Sequence, residues 1–283
     1  MKIRAFAKIN LALDVVSERD DGYHELKMIM APITLHDLIT IEVTDKPGII
    51  LTTNSSRIPT DERNIMYKVA KILIDRYQIN KGLQIHIYKH IPTQAGLAGG
   101  SADGAAVLKA MNKMFHLKLS YEKLAEIGKE VGADIPFCVY ERLAVVKGIG
   151  EKLDFIDSDF DCYLLLVKPK KGVSTAKSFK ALDIPHAVHP NIEGMKEGIM
   201  NDNYDQVIKS LGNTLEAPSI KMVPEIEEIK KDMKKWGFDG ALMSGSGSCV
   251  FGITRDKEKL DLSYNYFKNK YYFVRKSKIL KKG

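Results

Sequence analysis

The 283-residue chain is poor in cysteine, and its three cysteines, Cys138, Cys162 and Cys249, stand far apart in no metal-ligand spacing. That argues against a structural zinc site or a disulfide framework and suits a reducing cytoplasm. No stretch approaches the ~18 apolar residues of a membrane span. The start, Met-Lys-Ile-Arg, could pass for the basic end of a signal peptide, but Lys8, Asn10 and Asp14 interrupt any apolar core. A cytoplasmic protein without a membrane partner is expected. No period of 20–50 residues repeats and no segment is low in complexity, which excludes solenoids and linkers. Nor is there a charge surplus through most of the chain. The 43 Lys and Arg against 36 Asp and Glu give a formal net charge of +7. All seven surplus bases (Lys268, Lys270, Arg275, Lys276, Lys278, Lys281 and Lys282) lie in residues 268–283, which contain no acid. That stretch reads as a solvated, fraying end rather than a nucleic-acid-binding arm.

What is present is globular. The chain is 45% hydrophobic and 28% charged, long enough for about two domains and for a core without staples. Residues 2–16 alternate, with Ile3, Ala5, Ala7, Ile9, Leu11, Leu13 and Val15 apolar, so a half-buried strand is expected with Lys8 and Asn10 on its non-core face. Asp20-Asp21-Gly22 reads as a turn. Leu38–Val43 and Leu83–Ile91 read as strands, and helical spacing runs from Ile65 to Tyr77 between them. A helix opened by Ser101 is expected after residues 92–100, and another capped by Ser120 and ended by Gly132. Asp134 and Pro136 then fall in a loop, followed by a strand over Phe137–Lys147. After a turn-rich acidic stretch, Asp154–Asp161, come a strand over 163–168, several helices, a strand over 249–254, a helix and a last strand near Tyr272–Arg275. The boundary is placed in that acidic stretch, giving domains 1–155 and 156–283. Strands and helices mix without regular βαβ alternation, so the fold class is α+β.

The strongest chemical signal is Pro92, Thr93, Gln94, Ala95, Gly96, Leu97, Ala98, Gly99, Gly100, Ser101 and Ala102. Three glycines allow close backbone approach to a ligand and turn amides toward one point. A helix starting there offers unpaired N–H groups to an anion, and a phosphate chain fits. It is neither a Walker A loop nor Gly-x-Gly-x-x-Gly; the plain alternative is a tight turn that merely starts a helix. Asp134, past a helix end, meets that helix's unfavourable dipole, which suits a general base, or it is a turn aspartate bonding its own backbone. Lys8 is either solvated or an amine that polarises an attacking hydroxyl. Ser244, Gly245, Ser246 and Gly247 form a second glycine-rich turn. Tyr23 and His24 could stack on a planar base or simply flank a turn. The remaining histidines show no ligand spacing.

Taken together, Ala5-Phe-Ala-Lys-Ile-Asn-Leu11, Asp21-Gly-Tyr-His24, Pro92 to Asp103, Gly132-Ala-Asp-Ile-Pro136 and Met243-Ser-Gly-Ser-Gly-Ser248 resemble the GHMP small-molecule kinases. The resemblance runs from about residue 3 to residue 254. The glycine-rich loop and the Ser-Gly-Ser-Gly turn are common to the whole superfamily. The Ala-Lys-Ile-Asn-Leu start, the Asp-Gly-Tyr-His turn and the Gly-Gly-Ser-Ala-Asp form of the loop point to the branch that phosphorylates a cytidyl diphosphate alcohol of the non-mevalonate isoprenoid route. The resemblance implies a two-lobed fold, with an N-terminal ATP-binding lobe, a C-terminal substrate lobe and the active site in the cleft. It implies Lys8 and Asp134 as the catalytic pair, Pro92 to Ala102 as the ATP loop, and Asn10, Tyr23, His24 and Phe179 as substrate-binding residues, with ATP and Mg2+ as cofactors. Ser101 is a candidate for the Mg2+ ligand. The departures are Tyr140-Glu-Arg-Leu143, where a small or glycine-rich strand is the rule, and the segment His186–Asn203. The competing readings are a GHMP kinase for another alcohol and, on the same N-lobe fold, an RNA-binding module. No nucleic-acid partner is expected on the main reading, and monomer and homodimer both stay open.

Overall fold

The computed structural model describes residues 1–281; Lys282 of the basic end, with Gly283, lies outside the described residues. The chain divides into two compact units, one of residues 1–7, 36–93 and 98–141, the other of residues 8–35, 94–97 and 142–283. Two long strands, β1 (Lys2–Glu18) and β2 (His24–Thr44), run through both.

In the first unit β3 (Ile49–Thr53) is followed by α1 (Ile65–Arg76) and β4 (Gly82–Tyr88). β4 pairs in parallel with β3 and antiparallel with the later part of β2, setting Ile39 opposite Ile87 and Ile41 opposite Ile85. These isoleucines are fully buried, the period-2 pattern of a strand with one apolar face. Asn64 caps α1, its side chain accepting from the Met66 amide at 2.9 Å. Then come α2 (Gly99–Met114), α3 (Tyr121–Lys129) and α4 (Ile135–Tyr140), with α2 packed against the other three helices. Small residues make that packing close. A Cβ on Gly104 would sit 2.6 Å from Ile65 Cγ2, and one on Gly128 would sit 2.4 Å from Ile135 Cγ2.

The expected strand over Phe137–Lys147 is corrected here, because residues 135–140 are helical and the chain becomes extended only at β5 (Ala144–Gly148). Pro136 fits a first helical turn, where its missing N–H costs nothing. Glu141 then stops the helix in the left-handed region at φ 50° and ion-pairs with Lys109 at 2.6 Å. That pair occupies the Tyr140–Leu143 departure.

In the second unit β5 pairs antiparallel with the early part of β2, Leu26–Met30, and with β6 (Lys152–Phe155). The chain continues through β7 (Tyr163–Lys168), α5 (Thr175–Lys180), α6 (Ile192–Met200), α7 (Tyr204–Lys209), β8 (Gly212–Asn213) and α8 (Glu216–Met222). It ends with α9 (Glu225–Lys235), β9 (Gly240–Met243), β10 (Val250–Thr254), α10 (Lys257–Lys270) and β11 (Phe273–Lys278). The order β11-β7-β10-β9 makes an antiparallel sheet on which α9 and α10 pack. Ile226, Ile229 and Met233 of α9, at helical spacing, and Phe267 of α10 are fully buried.

Two further expectations change. β1 is not half-buried: every residue from Ala7 to Leu13 is buried, with Lys8 4% and Asn10 0% exposed. β8 pairs in parallel with β1 (Ala12 with Gly212, Leu13 with Asn213) and covers its edge there, while on the polar face the Lys8 ammonium bonds Asn10 Oδ1, Asn10 Nδ2 lies against Met28 Sδ, and the Asn10 amide bonds Ser244 Oγ. Nor do the described residues of the basic end fray. β11 pairs with β7 over six residues, and Ile279 bridges to Ile33. Among the described residues, no helix is long and apolar enough to cross a membrane.

Candidate active site

In the second unit, residues 94–97 of the first glycine-rich stretch lie backbone against backbone with the second glycine-rich turn. The Ser248 and Cys249 amides donate to Gln94 O and Ala95 O at 3.3 and 3.2 Å, and Ser244 Oγ donates to Gly96 O at 3.0 Å. The contact is tight enough to require glycine. Gly96 has φ +72°, and a Cβ there would fall 1.9 Å from the carbonyl oxygen of Ser244; Gly245 (φ +56°) faces the same backbone from the other side. The Lys8 amide donates to Leu97 O at 3.2 Å, fixing β1 to the loop. The Lys8 ammonium donates to Asn10 Oδ1 at 2.7 Å, and Asn10 Nδ2 lies 3.3 Å from Met28 Sδ. Two residues apart on one strand, Lys8 and Asn10 share a face, so the structure brings together Lys8, Asn10, Gly96, Leu97 and Ser244.

A separate cluster in this unit joins His24, at the start of β2, to Phe179 of α5, with ring centroids 4.8 Å apart. Tyr23 beside it is 58% exposed, and its amide donates to Asp21 Oδ1.

In the first unit Ala98, in the left-handed region at φ 54°, turns the chain into α2. The helix therefore begins at Gly99 rather than at Ser101, which is its third residue. The amides of Gly99, Gly100 and Ser101 precede the first intrahelical donor, Ala102 to Ala98 O at 2.9 Å. In a sixteen-residue helix these amides, with the dipole's positive end, are where an anion is stabilised. Pro92 and Thr93 belong to the same unit as this turn. Asp134 lies in the turn that leaves α3, as expected, but that turn runs straight into α4, and Pro136 belongs to the helix rather than to the loop. Ile135 is wedged against the Cβ-free faces of Gly104 and Gly128, which holds Asp134 in place between α3 and α4.

Sequence reasoning missed the residues that brace the second turn. Asn213 Nδ2 donates to both Met243 O and Gly245 O at 2.8 Å, and its Oδ1 accepts from the Leu215 amide at 2.9 Å. Glu216 Oε1 accepts from the Met243 amide at 2.9 Å and pairs with Lys230. Ser219 Oγ donates to Ser246 O at 3.1 Å. None has a periodic signature; the one clue is that Gly212-Asn-Thr-Leu-Glu216 puts polar residues between apolar stretches. Replacing Asn213 by Leu leaves two carbonyls and an amide without their partners in a buried site. We expect a loss of about 1–3 kcal/mol of stability, read by urea unfolding; an unchanged midpoint refutes the brace.

Known proteins give this arrangement its class. Residues 64–142 match the family described as GHMP kinases N terminal domain, and residues 192–272 the one described as GHMP kinases C terminal. The chain belongs to the GHMP kinases, small-molecule kinases that take their phosphoryl group from ATP. Among curated relatives, the 4-diphosphocytidyl-2-C-methyl-D-erythritol kinase of Clostridium beijerinckii is 47% identical over 96% of this chain and 97% of its own. The Bacillus subtilis enzyme of that name is 44% identical over 93% and 91%. The crystal structure of a 4-(cytidine 5'-diphospho)-2C-methyl-D-erythritol kinase superposes with a TM-score of 0.86 at 28% identity over all of both chains. Homoserine kinase from Cytophaga hutchinsonii shares the fold, with a TM-score of 0.76 at 19% identity.

Proposed function

We propose that the protein transfers the γ-phosphoryl group of ATP to the 2-hydroxyl of 4-diphosphocytidyl-2-C-methyl-D-erythritol, in the non-mevalonate route to isoprenoid precursors. The observation that carries the acceptor is the ring pair of His24 and Phe179, 4.8 Å apart, with the 58%-exposed Tyr23 next to His24 in the chain, groups of the kind that stack on a cytosine ring. The relatives that are 44–47% identical over more than nine-tenths of the chain bear that acceptor's name.

Each unit supplies its own groups. In the first, the α2 amides receive the ATP phosphates, and Asp134 takes the proton of the attacking hydroxyl. In the second, Asn10 holds the Lys8 ammonium, a fixed positive charge of the kind that stabilises negative charge developing in phosphoryl transfer. The hydroxyl oxygen forms a bond to the γ-phosphorus as the bond to the β,γ-bridging oxygen breaks, and ADP leaves. Phosphoryl transfer asks mainly for alignment and charge stabilisation, so one base and one cation suffice. Mg2+ shared with ATP phosphates needs only one or two protein oxygens, and the hydroxyl of Ser101, in the first turn of α2, is an oxygen of the right kind. When bound, the ion would neutralise phosphate charge.

The test is ADP release with the cytidyl acceptor beside homoserine, mevalonate and a no-acceptor control. We expect turnover with the cytidyl acceptor alone. Turnover with an acceptor lacking cytidine would remove the stacking role and leave a GHMP kinase for a different alcohol.

A further inference from the structure

Three charged side chains of the first unit are buried together, and nothing in the reaction above uses them. The side chain of Lys89, just past β4, is 8% exposed, that of Asp37 in β2 is 0% and that of Asp103 in α2 is 5%. Lys89 Nζ donates to Asp37 Oδ2 and Asp103 Oδ2, at 2.5 and 2.8 Å. Asp37 Oδ1 accepts from the backbone amides of His90 and Ile91.

Their place in the chain matters more than their pairing. Residues 89–91 run directly into Pro92, where the glycine-rich stretch begins, and Asp103 lies in α2, where it ends. The cluster also touches the turn itself. A Cβ on Gly99 would stand 2.9 Å from Ile91 Cγ2 and 3.3 Å from the Lys89 ammonium, so both groups are seated directly against the glycine that opens the helix. One ion cluster thus holds both ends of the stretch whose amides face the nucleotide.

Stability alone does not account for such a cluster. Buried ions are costly to desolvate, and apolar groups of similar volume often serve a fold equally well. Two carboxylates on one ammonium also leave a surplus negative charge in a dry site. Burial pushes the Asp103 carboxyl well up, the Lys89 charge pulls it back, and the Asp37 charge adds to the rise. Burial works against the Lys89 ammonium, but Asp103 and Asp37 together outweigh it and hold the lysine protonated.

We infer that Asp37, Lys89 and Asp103 are positioning residues that clamp the two ends of the glycine-rich stretch, and so hold the α2 amides where ATP phosphates bind. The inference rests on the kinase reading above, but nucleotide affinity is measurable without the acceptor.

The experiment measures binding of a non-hydrolysable ATP analogue to the full chain by calorimetry, beside steady-state KM values for ATP and the acceptor. The variants are Lys89→Met, the double variant Lys89→Met/Asp103→Leu, and Asp103→Asn. The double variant replaces the Lys89–Asp103 pair by apolar volume and leaves Asp37 on the His90 and Ile91 amides, so urea unfolding first establishes that it is folded before binding is read. We expect the analogue to bind about tenfold or more weakly to Lys89→Met and to the double variant, with KM for ATP rising in step and acceptor KM within about twofold of wild type. Asp103→Asn keeps the side chain's shape and an oxygen able to accept from Lys89, and should bind within about threefold of wild type. A stably folded double variant that binds the analogue as tightly as wild type overturns the clamp, and so does an equal loss for both substrates. Failure of the cytidyl acceptor assay with wild-type analogue binding intact would strike the acceptor reading and leave this one standing.

Discussion

Asp134→Asn should lower kcat by roughly 10²–10⁴ while leaving ATP-analogue affinity close to wild type. Asparagine keeps the shape of the side chain but cannot take a proton from the attacking hydroxyl, so the deficit falls on the chemical step. The local structure makes the substitution informative. Asp134 is set by its neighbour Ile135, which is buried where Gly104 and Gly128 leave room, and by the start of α4. A change confined to the carboxyl should therefore leave the packing of α2, α3 and α4 intact. Single-turnover kinetics with ATP and acceptor both saturating isolates the transfer from product release. Near wild-type transfer would assign Asp134 to positioning and require another base. A parallel fall in analogue affinity would mean that the loop had moved, and the deficit could not then be attributed to proton transfer.

How well the sequence foretold this molecule depended on whether a feature was local. α1 was legible because Met66, Val69, Ala70 and Leu73 recur at helical spacing behind a capping Asn64, and β7 because Tyr163–Lys168 is an unbroken apolar run ending in Lys-Pro. α4 was misread because six residues, Ile-Pro-Phe-Cys-Val-Tyr, fit a buried strand as well as a short helix buried on every side. What decided it was packing against α2 and α3, which no window along the chain contains. The same limit explains Lys8 and Asn10. Alternation along β1 predicts one wet face, but Asn10 meets Met28 Sδ from the next strand and Ser244 Oγ from 234 residues further on. The basic end misled for a different reason: charge predicts solvation, yet β11 needs only its backbone and alternate side chains to pair with β7, and its lysines point outward at no cost.

The glycine-rich stretch, the second turn and the Tyr23-His24 pair stood out because their composition is unusual. Their supports did not. Asn213, Glu216, Asp37 and Lys89 are ordinary polar residues whose meaning comes from where they end up: Asn213 under Met243 and Gly245, Lys89 against Gly99. His189 is another such case. It carried no ligand spacing, yet its Nδ1 bonds Asp14 Oδ1 at 2.6 Å and its Nε2 reaches Ile184 O at 3.1 Å. The Asp14 hydrogen bond raises its pKa despite partial desolvation. A motif marks the groups whose composition is unusual, and long-range packing marks the groups that hold them still.

The second large effect separates a glycine needed for its backbone angle from one needed for space. Gly96→Ala adds a Cβ 1.9 Å from Ser244 O and 2.7 Å from the same carbonyl carbon. Neither atom belongs to a flexible side chain, and the serine cannot retreat easily. Its amide donates to Cys249 O at 2.9 Å, its hydroxyl to Gly96 O at 3.0 Å, and the Asn10 amide donates to that hydroxyl at 3.2 Å. The left-handed φ of +72° adds about 1–2 kcal/mol of strain for alanine. Overpacking against fixed backbone adds about 1–3 kcal/mol more. The variant should therefore lose about 2–5 kcal/mol of stability, and nucleotide affinity should fall with it, because residues 94–97 shift as one piece. Gly22→Ala is the control. Gly22 has a similar φ, +77°, but nothing within 4 Å of its missing Cβ, so only the strain should register, about 1–2 kcal/mol. Urea unfolding of the two variants reads the difference directly. Equal losses would mean that the backbone angle alone selects glycine at residue 96, and that the close approach of the two glycine-rich segments carries none of the stability assigned to it.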